Sequence, residues 1–243
     1  MAKILVINGS PRTKSNSAIL AELAAKGASS IKDMEVSIFS FAGKQFYGCT
    51  GMCHAFCQNS GTCCQDDGFN DFADAWLEAD GIVWVVPTYH AGPPAQIKAV
   101  LDRLGNSLFS VTRGKIARFN KPTGIIVNGT SRFGCQELVM QFFLTSIPNM
   151  KCLPIAGDSP KAGIAAIGQA PTWEPGCIEE DKAVMEASEV MGRRVAEMTK
   201  IIVKGLEACK DELDETYSAK EYMKNCRGKG AETDPNWRRA AEK

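Results

Sequence analysis

The chain has 243 residues, 44% hydrophobic and 23% charged, enough apolar material for one large α/β core or two small ones. Its 28 Lys and Arg balance its 28 Asp and Glu, so no basic field exists to hold a phosphate backbone, which argues against nucleic acid as a partner. The opening MAKILVINGS is too short an apolar run for a signal peptide, and no later stretch reaches membrane-spanning length. The expectation is a cytoplasmic protein whose ten cysteines stay reduced and serve as ligands, redox groups or small buried hydrophobes rather than disulfides.

Residues 3–8 (KILVIN) form a β-branched apolar run ending in Gly9-Ser10-Pro11, the pattern of a buried strand entering a loop. Ser15, Asn16 or Ser17 can cap the helix that follows, where Ile19, Leu20, Leu23 and Ala24 recur at helical spacing. A second strand fits 34–41, where Met34, Val36 and Ile38 alternate with Glu35 and Ser37. A cysteine-rich stretch comes next, then a helix over 69–79. GIVWVV at 81–86 is continuous and apolar, as in a strand buried on both faces. Helices over 94–104 and 136–147 flank a fourth strand at 123–128, a fifth strand fits 150–156, and a long amphipathic helix covers 179–206.

This alternation predicts a doubly wound α/β fold, a five-stranded parallel sheet of order 2-1-3-4-5 with helices on both faces. Residues 1–204 make that domain and carry the cysteine-rich insertion at 46–67. The charged residues 205–243 read either as a solvated helix and tail or as an arm packing on a neighbouring subunit through Tyr217, Tyr222 and Trp237.

In such a sheet a ligand lies outside the carboxyl ends of the strands, at the switch point beside strand 1. Three loops converge there. The first, GSPRTKSNS from Gly9 to Ser17, offers backbone N–H groups at a helix N-terminus, hydroxyls and Arg12, a cradle for a terminal monophosphate. It has neither the G-x-G-x-x-G spacing of dinucleotide sites nor the G-x-x-x-x-G-K of Walker loops. The second, PTYHAG from Pro87 to Gly92, puts Tyr89 and His90 at the mouth of the sheet. The third, GTSRFGCQ from Gly129 to Gln136, is small and polar. Together they describe a pocket for a flat ring with a phosphate tail.

GSPR-x-x-SNS resembles the phosphate loop of flavodoxin-like NAD(P)H-dependent FMN reductases. Pro87-Thr88-Tyr89 followed by Gln96-Ile97-Lys98 and Asp102-Arg103 resembles the same family's P-x-Y stretch with its Lys and Asp-Arg, and 129–137 resembles its third flavin loop, with Cys135 where the pattern has a second glycine. The resemblance covers residues 1–157. It implies a flavodoxin-like fold, FMN as cofactor, phosphate contacts at Ser10, Arg12, Ser15, Asn16 and Ser17, an isoalloxazine lined by Pro87, Thr88 and Tyr89, and Gly129, Thr130 and Arg132 along its other edge. Tyr89 and His90 are the candidate catalytic side chains. It also implies a homodimer or homotetramer with sites at subunit interfaces.

Five cysteines sit at Cys49-x3-Cys53-x3-Cys57-x5-Cys63-Cys64, followed by Asp66-Asp67. The iron–sulfur flavoproteins, a branch of flavodoxin-like proteins, carry a compact cysteine run at this place, usually C-x2-C-x2-C-x4–7-C followed by Asp-Asp. This chain keeps the last step and the acidic pair but has x3 gaps and one extra cysteine. The resemblance implies a [4Fe–4S] cluster on Cys49, Cys53, Cys57 and Cys63, with Cys64 as the spare. Structural zinc, which favours C-x2-C pairs, and free or redox-switching thiols are the alternatives. The leading expectation is an FMN-dependent oxidoreductase whose cluster relays electrons between a ferredoxin-like or NAD(P)H donor and a small acceptor. A cluster-free FMN or quinone reductase and a flavin electron carrier or redox sensor are its rivals.

Overall fold

Alternation along the strands decides the architecture. β1 (Ala2–Asn8) sends Ile4 and Val6 to one face of the sheet and Leu5 and Ile7 to the other. β3 (Gly81–Pro87) divides Val83 and Val85 from Ile82, Trp84 and Val86, and β4 (Pro122–Gly129) divides Ile126 from Ile125 and Val127. With both faces apolar, helices must cover both. α1 (Asn16–Ser29) and α6 (Lys182–Ala208) cover the first face; α3 (Phe69–Glu78), α4 (Ala95–Leu104) and α5 (Gln136–Asn149) cover the second. The computed structural model describes residues 1–131 and 133–229; Arg132 and Trp237 lie outside the described residues.

The strands run parallel in the expected order β2-β1-β3-β4-β5, with β2 (Met34–Ser40) at one edge. α1 and α6 cross closely enough for their backbones to touch. A Cβ on Gly27 would stand 1.9 Å from the Glu189 carbonyl oxygen, and one on Gly192 would stand 1.9 Å from that of Ala24. The helix pair therefore depends on small residues on both sides of the crossing.

Four details differ from the sequence expectation. The fifth strand does not span 150–156: only β5 (Leu153–Pro154) pairs with the start of β4. The chain then leaves the sheet in an excursion closed by the Gly157 N–H donating to the Gly163 carbonyl at 2.7 Å. It returns as β6 (Ala166–Gln169), a sixth strand pairing with the end of β4. Residues 177–180 form a 3-10 turn, and α6 starts only at Lys182, where the Asp181 carboxylate accepts from the Val184 N–H. Finally, a short helix, α2 (His54–Ser60), forms inside the cysteine loop.

The described residues beyond α6, 209–229, fold back onto their own chain. In α7 (Ala219–Lys229), Ala219 and Met223 are buried in the second-face core. The Tyr222 hydroxyl donates to the Lys115 carbonyl at 2.7 Å, and the Arg118 guanidinium stacks 4.7 Å over the Tyr217 ring. Tyr217 and Tyr222, expected as contacts of an arm on a neighbouring subunit, thus pack on their own chain, because a few apolar residues at helical spacing suffice to dock a helix whose other faces are polar.

Candidate functional site

The turn after β1 is built by its own side chains. Asn8 Oδ1 accepts from the Ser10 N–H at 3.2 Å, and Ser10 Oγ accepts from the Arg12 N–H at 3.3 Å. The Ser15 hydroxyl then caps α1, accepting from the Ala18 N–H at 3.1 Å and leaving its own O–H to donate. Ser10, Ser15, Asn16 and Ser17 are all buried, so this helix N-terminus presents oriented dipoles in a partly dry setting.

The first and second loops meet the third at a cavity of about 570 Å³. Ser10, Arg12, Ser15, Asn16 and Ser17 line one end. Pro87, Thr88, Tyr89 and His90 line its middle, and Gly129 and Thr130 line the far edge. Every described residue expected in the flavin pocket and at the catalytic position faces this one cavity. The second loop holds its shape through a tight turn: Tyr89 and Gly92 exchange two backbone hydrogen bonds of 2.8 and 3.0 Å. The turn's central residues, His90 (φ 45°) and Ala91 (φ 64°), are both left-handed, a conformation that costs a non-glycine residue about 1–2 kcal/mol. The paired hydrogen bonds hold the turn in this strained conformation and keep Tyr89 and His90 at the cavity.

In the third loop Cys135 has φ 68°, so it occupies the left-handed region that a glycine would take there. The Gln136 carboxamide is buried and pins the loop, accepting from the Gly134 N–H at 2.8 Å and donating to the carbonyls of Ser131 (2.6 Å) and Gly168 (3.3 Å). A side chain on Gly129 would stand 2.9 Å from that carboxamide, which requires glycine at this strand end.

The segment 163–177, too long and too rich in Gly and Pro for a mere connection, reads from sequence either as a cap through Trp173 or as a subunit contact, and the structure brings it to the cavity as a fourth wall. Ala170, Thr172 and Trp173 close the cavity from the segment after β6, and Asn128 supplies its floor. Asn128 accepts from the Ser17 hydroxyl at 2.8 Å. Arg12 donates to the Trp173 carbonyl at 2.6 Å. Asn16 is committed entirely to this segment, donating to the Glu174 carbonyl (3.1 Å) and the Cys177 sulfur (3.3 Å) and accepting from the N–H groups of Gly176 (2.9 Å) and Ile178 (3.4 Å).

The cavity suits FMN on its own chemistry. Its size is that of a cofactor site. The hydroxyls and Arg12 at the α1 N-terminus suit the phosphate. Thr88 Oγ1 is the one buried side-chain polar atom without a hydrogen-bond partner among the described residues, and Thr88 is one of the residues that line this cavity. A buried hydroxyl without a partner is costly, so a polar edge of a bound ring is its natural complement.

The cysteines gather on the second face. Cys53 precedes α2 and Cys57 lies one turn along it, so the two share a side of the helix. Gly61 (φ 67°) ends α2 and turns the chain to Cys63. The Asn70 side chain fixes the Cys63 backbone from both directions, each bond 2.9 Å. Cys53, Cys57 and Cys63 are buried, while Cys49 and Cys64 are half-buried. Arg103 on α4 donates from Nε and Nη2 to Cys63 Sγ at 3.3 and 3.2 Å, and Asn106 donates to Cys49 Sγ at 3.2 Å.

Burial, and then the charges of Cys53, Cys63, Cys49 and Cys64, push the Cys57 thiol up to about 12; burial and a hydrogen bond with Cys53 do the same for Cys64. The five sulfurs thus share one electrostatic neighbourhood, although among the described residues no three His, Cys, Asp or Glu side chains are drawn tightly enough together to hold an ion.

Comparison with known proteins agrees with this geometry. The model of the NADPH-dependent FMN reductase family matches residues 2–163. An iron–sulfur flavoprotein of Methanocaldococcus jannaschii is 32% identical over 209 residues, covering 83% of this chain and all of the relative. One of Archaeoglobus fulgidus is 31% identical over 199 residues, covering 80% and 96%. Among solved structures, RosB with a bound 8-demethyl-8-formylriboflavin-5'-phosphate superposes with a TM-score of 0.60 at 18% identity, over 88% of this chain and 89% of that one. A WrbA-like flavodoxin from Agrobacterium tumefaciens gives 0.54 at 18%, over 83% and 99%.

Sheet order and these structures define a flavodoxin-like protein. The chain belongs to the NADPH-dependent FMN reductase family, in its iron–sulfur flavoprotein branch, and is an FMN-dependent oxidoreductase.

Proposed function

We propose that this oxidoreductase holds FMN in the cavity beside β1 and a [4Fe–4S] cluster in the cysteine loop, and passes electrons between a ferredoxin-like or NAD(P)H donor and a small acceptor. Ser10, Ser15 and Arg12 hold the phosphate, Thr88 donates to the ring edge, and Tyr89 and His90 stand where an acceptor enters. Asn16 and Ser17 act one step back: Asn16 holds the wall segment and Ser17 locks onto Asn128. Flavin exchanges one or two electrons and the cluster one, so the pair converts between hydride and single-electron chemistry.

The observation carrying the cluster is the treatment of the sulfurs. Three are buried together, and two receive N–H donors from α4 and the turn after it. Such donors stabilise thiolate, whereas a cluster-free protein would be left with thiols burdened by burial. The twin bonds from Arg103 to Cys63 support that cysteine, rather than Cys64, as the fourth ligand. α4 joins the two sites, leaving the second flavin loop at one end and carrying Arg103 near the other, a helix of about 15 Å.

Exposed Phe133, Ile164 and Trp173 lie on or beside the segments that edge the cavity, which supports a homodimer or homotetramer closing over it. Anaerobic purification with iron, acid-labile sulfide and FMN counted per chain tests the reading. About four irons beside one FMN support it. Flavin without iron after cluster reconstitution returns the protein to a plain reductase.

A further inference from the structure

The wall after β6 is anchored at its ends and lightly held between them. Ala170 and Ile178 are buried, and the Ala170 N–H donates to the Gly129 carbonyl at 2.8 Å. At the far end Asn16 clasps Glu174, Gly176 and Ile178. Residues 171–175 are exposed, Trp173 to 76%. Bonds within the segment give this stretch its shape: Thr172 Oγ1 accepts from the Glu174 N–H at 3.2 Å, and the Cys177 thiol donates to the Thr172 carbonyl at 3.1 Å. Among the described residues, one hydrogen bond ties residues 171–173 to anything outside the segment. It is the donation from Arg12 Nη2 to the Trp173 carbonyl at 2.6 Å.

That tie is made by a cation at the phosphate end of the cavity. A guanidinium has five N–H groups, and the Trp173 carbonyl occupies one of them. The others stand at the end of the cavity that Ser10 and Ser15 line. An exposed bond of this kind is weak by itself, because water competes for both partners and a long side chain must give up its rotamer freedom to make it. A phosphate gripped by the same guanidinium fixes its plane. The rotamer cost is then already met, and the bond to the wall strengthens. Linkage makes the effect mutual, so the wall tightens the grip on the phosphate by the same factor.

We infer that Arg12 is a positioning residue that couples phosphate occupancy to the wall. With a phosphate at the α1 N-terminus, residues 171–173 are held and Trp173 stands with Tyr89 at the cavity; an unphosphorylated flavin leaves the stretch loose. The inference rests on the FMN reading of the cavity and adds to it: the phosphate serves to complete the face that meets the acceptor as well as to retain the cofactor.

Hydrogen exchange of the 171–177 amides, read by mass spectrometry on the full chain, tests this. The protein is compared without flavin, saturated with FMN and saturated with riboflavin, with bound flavin counted by absorbance. FMN is expected to slow exchange in this stretch at least about tenfold, the scale of one charge-assisted hydrogen bond, and riboflavin to leave it near the apoprotein rate. Arg12→Ala saturated with FMN is expected to exchange there like apoprotein although its flavin is bound. Equal slowing by the two flavins, full slowing in FMN-saturated Arg12→Ala, or no slowing by bound FMN each overturns the inference and leaves the FMN site standing. Should riboflavin fail to bind, Arg12→Ala decides. Wild-type protein that takes up no FMN overturns the inference together with the reading beneath it.

Discussion

The Asn16 carboxamide accepts a hydrogen bond from the Gly176 N–H at 2.9 Å across 160 positions of sequence. Helix α1 and the segment after β6 are thereby one structural unit, and the wall of the cavity beside β1 is as firm as that clasp. Asn16→Ala should release the segment and raise the Kd for FMN about tenfold, as expected for losing a buried hydrogen-bond network. Fluorescence titration of apoprotein would show it, and unchanged affinity would mean the wall plays no part in binding.

Thr88 separates binding from folding. Its hydroxyl is buried without a partner, so Thr88→Val should leave the apoprotein as stable as before or about 1 kcal/mol more so. The same change should weaken FMN binding severalfold. Thermal melts of apo and loaded protein would then move in opposite directions; parallel movement would remove Thr88 from the flavin site.

Arg12 reaches the cavity from its exposed rim, where its guanidinium already holds the Trp173 carbonyl. Arg12→Ala should raise the Kd for FMN at least tenfold, the scale of one charge-assisted hydrogen bond. Riboflavin, which lacks the phosphate, should bind both proteins alike. Equal losses for the two flavins would place the phosphate elsewhere.

Burial alone would raise the Asp67 carboxyl, but hydrogen bonds from Arg103 and the Tyr47 and Phe69 backbones, with the Arg103 charge, hold it below its ordinary value. A depressed folded-state value means that the unfolded chain binds the proton more readily. The stabilisation is therefore complete above about pH 4, the ordinary aspartate range, and disappears as the pH falls through the lower folded value. Asp67→Asn should cost about 3 kcal/mol at pH 7, the scale for breaking a buried pair. Urea denaturation should also show a smaller loss for the variant than for wild type on acidification below pH 4.

Ala91 tests the strained turn. With φ 64° it carries a penalty glycine escapes, so Ala91→Gly should add up to about 1 kcal/mol of stability, seen as a higher urea midpoint. The gain should come with slower turnover if rigid placement of Tyr89 and His90 matters.

Apolar periodicity is a local property, and it was enough to order the strands, place the helices and bring three loops to the carboxyl end of the sheet. The resemblance of GSPR-x-x-SNS and PTY to flavin loops rested equally on neighbours in sequence, and the structure brings both motifs to one cavity. Spacing also marked the cysteine loop, since five thiols within sixteen positions must lie near one another whatever the fold. What only the tertiary structure decided are the long-range pairings: Asn16 with Gly176, Ser17 with Asn128, Arg103 with Cys63. The splitting of the last strand into β5 and β6 belongs with them, because it follows from where the 157–163 excursion closes. Hydrogen bonds between residues 40 to 160 positions apart leave no period in the chain; they exist because the sheet, once formed, carries those side chains to the same place.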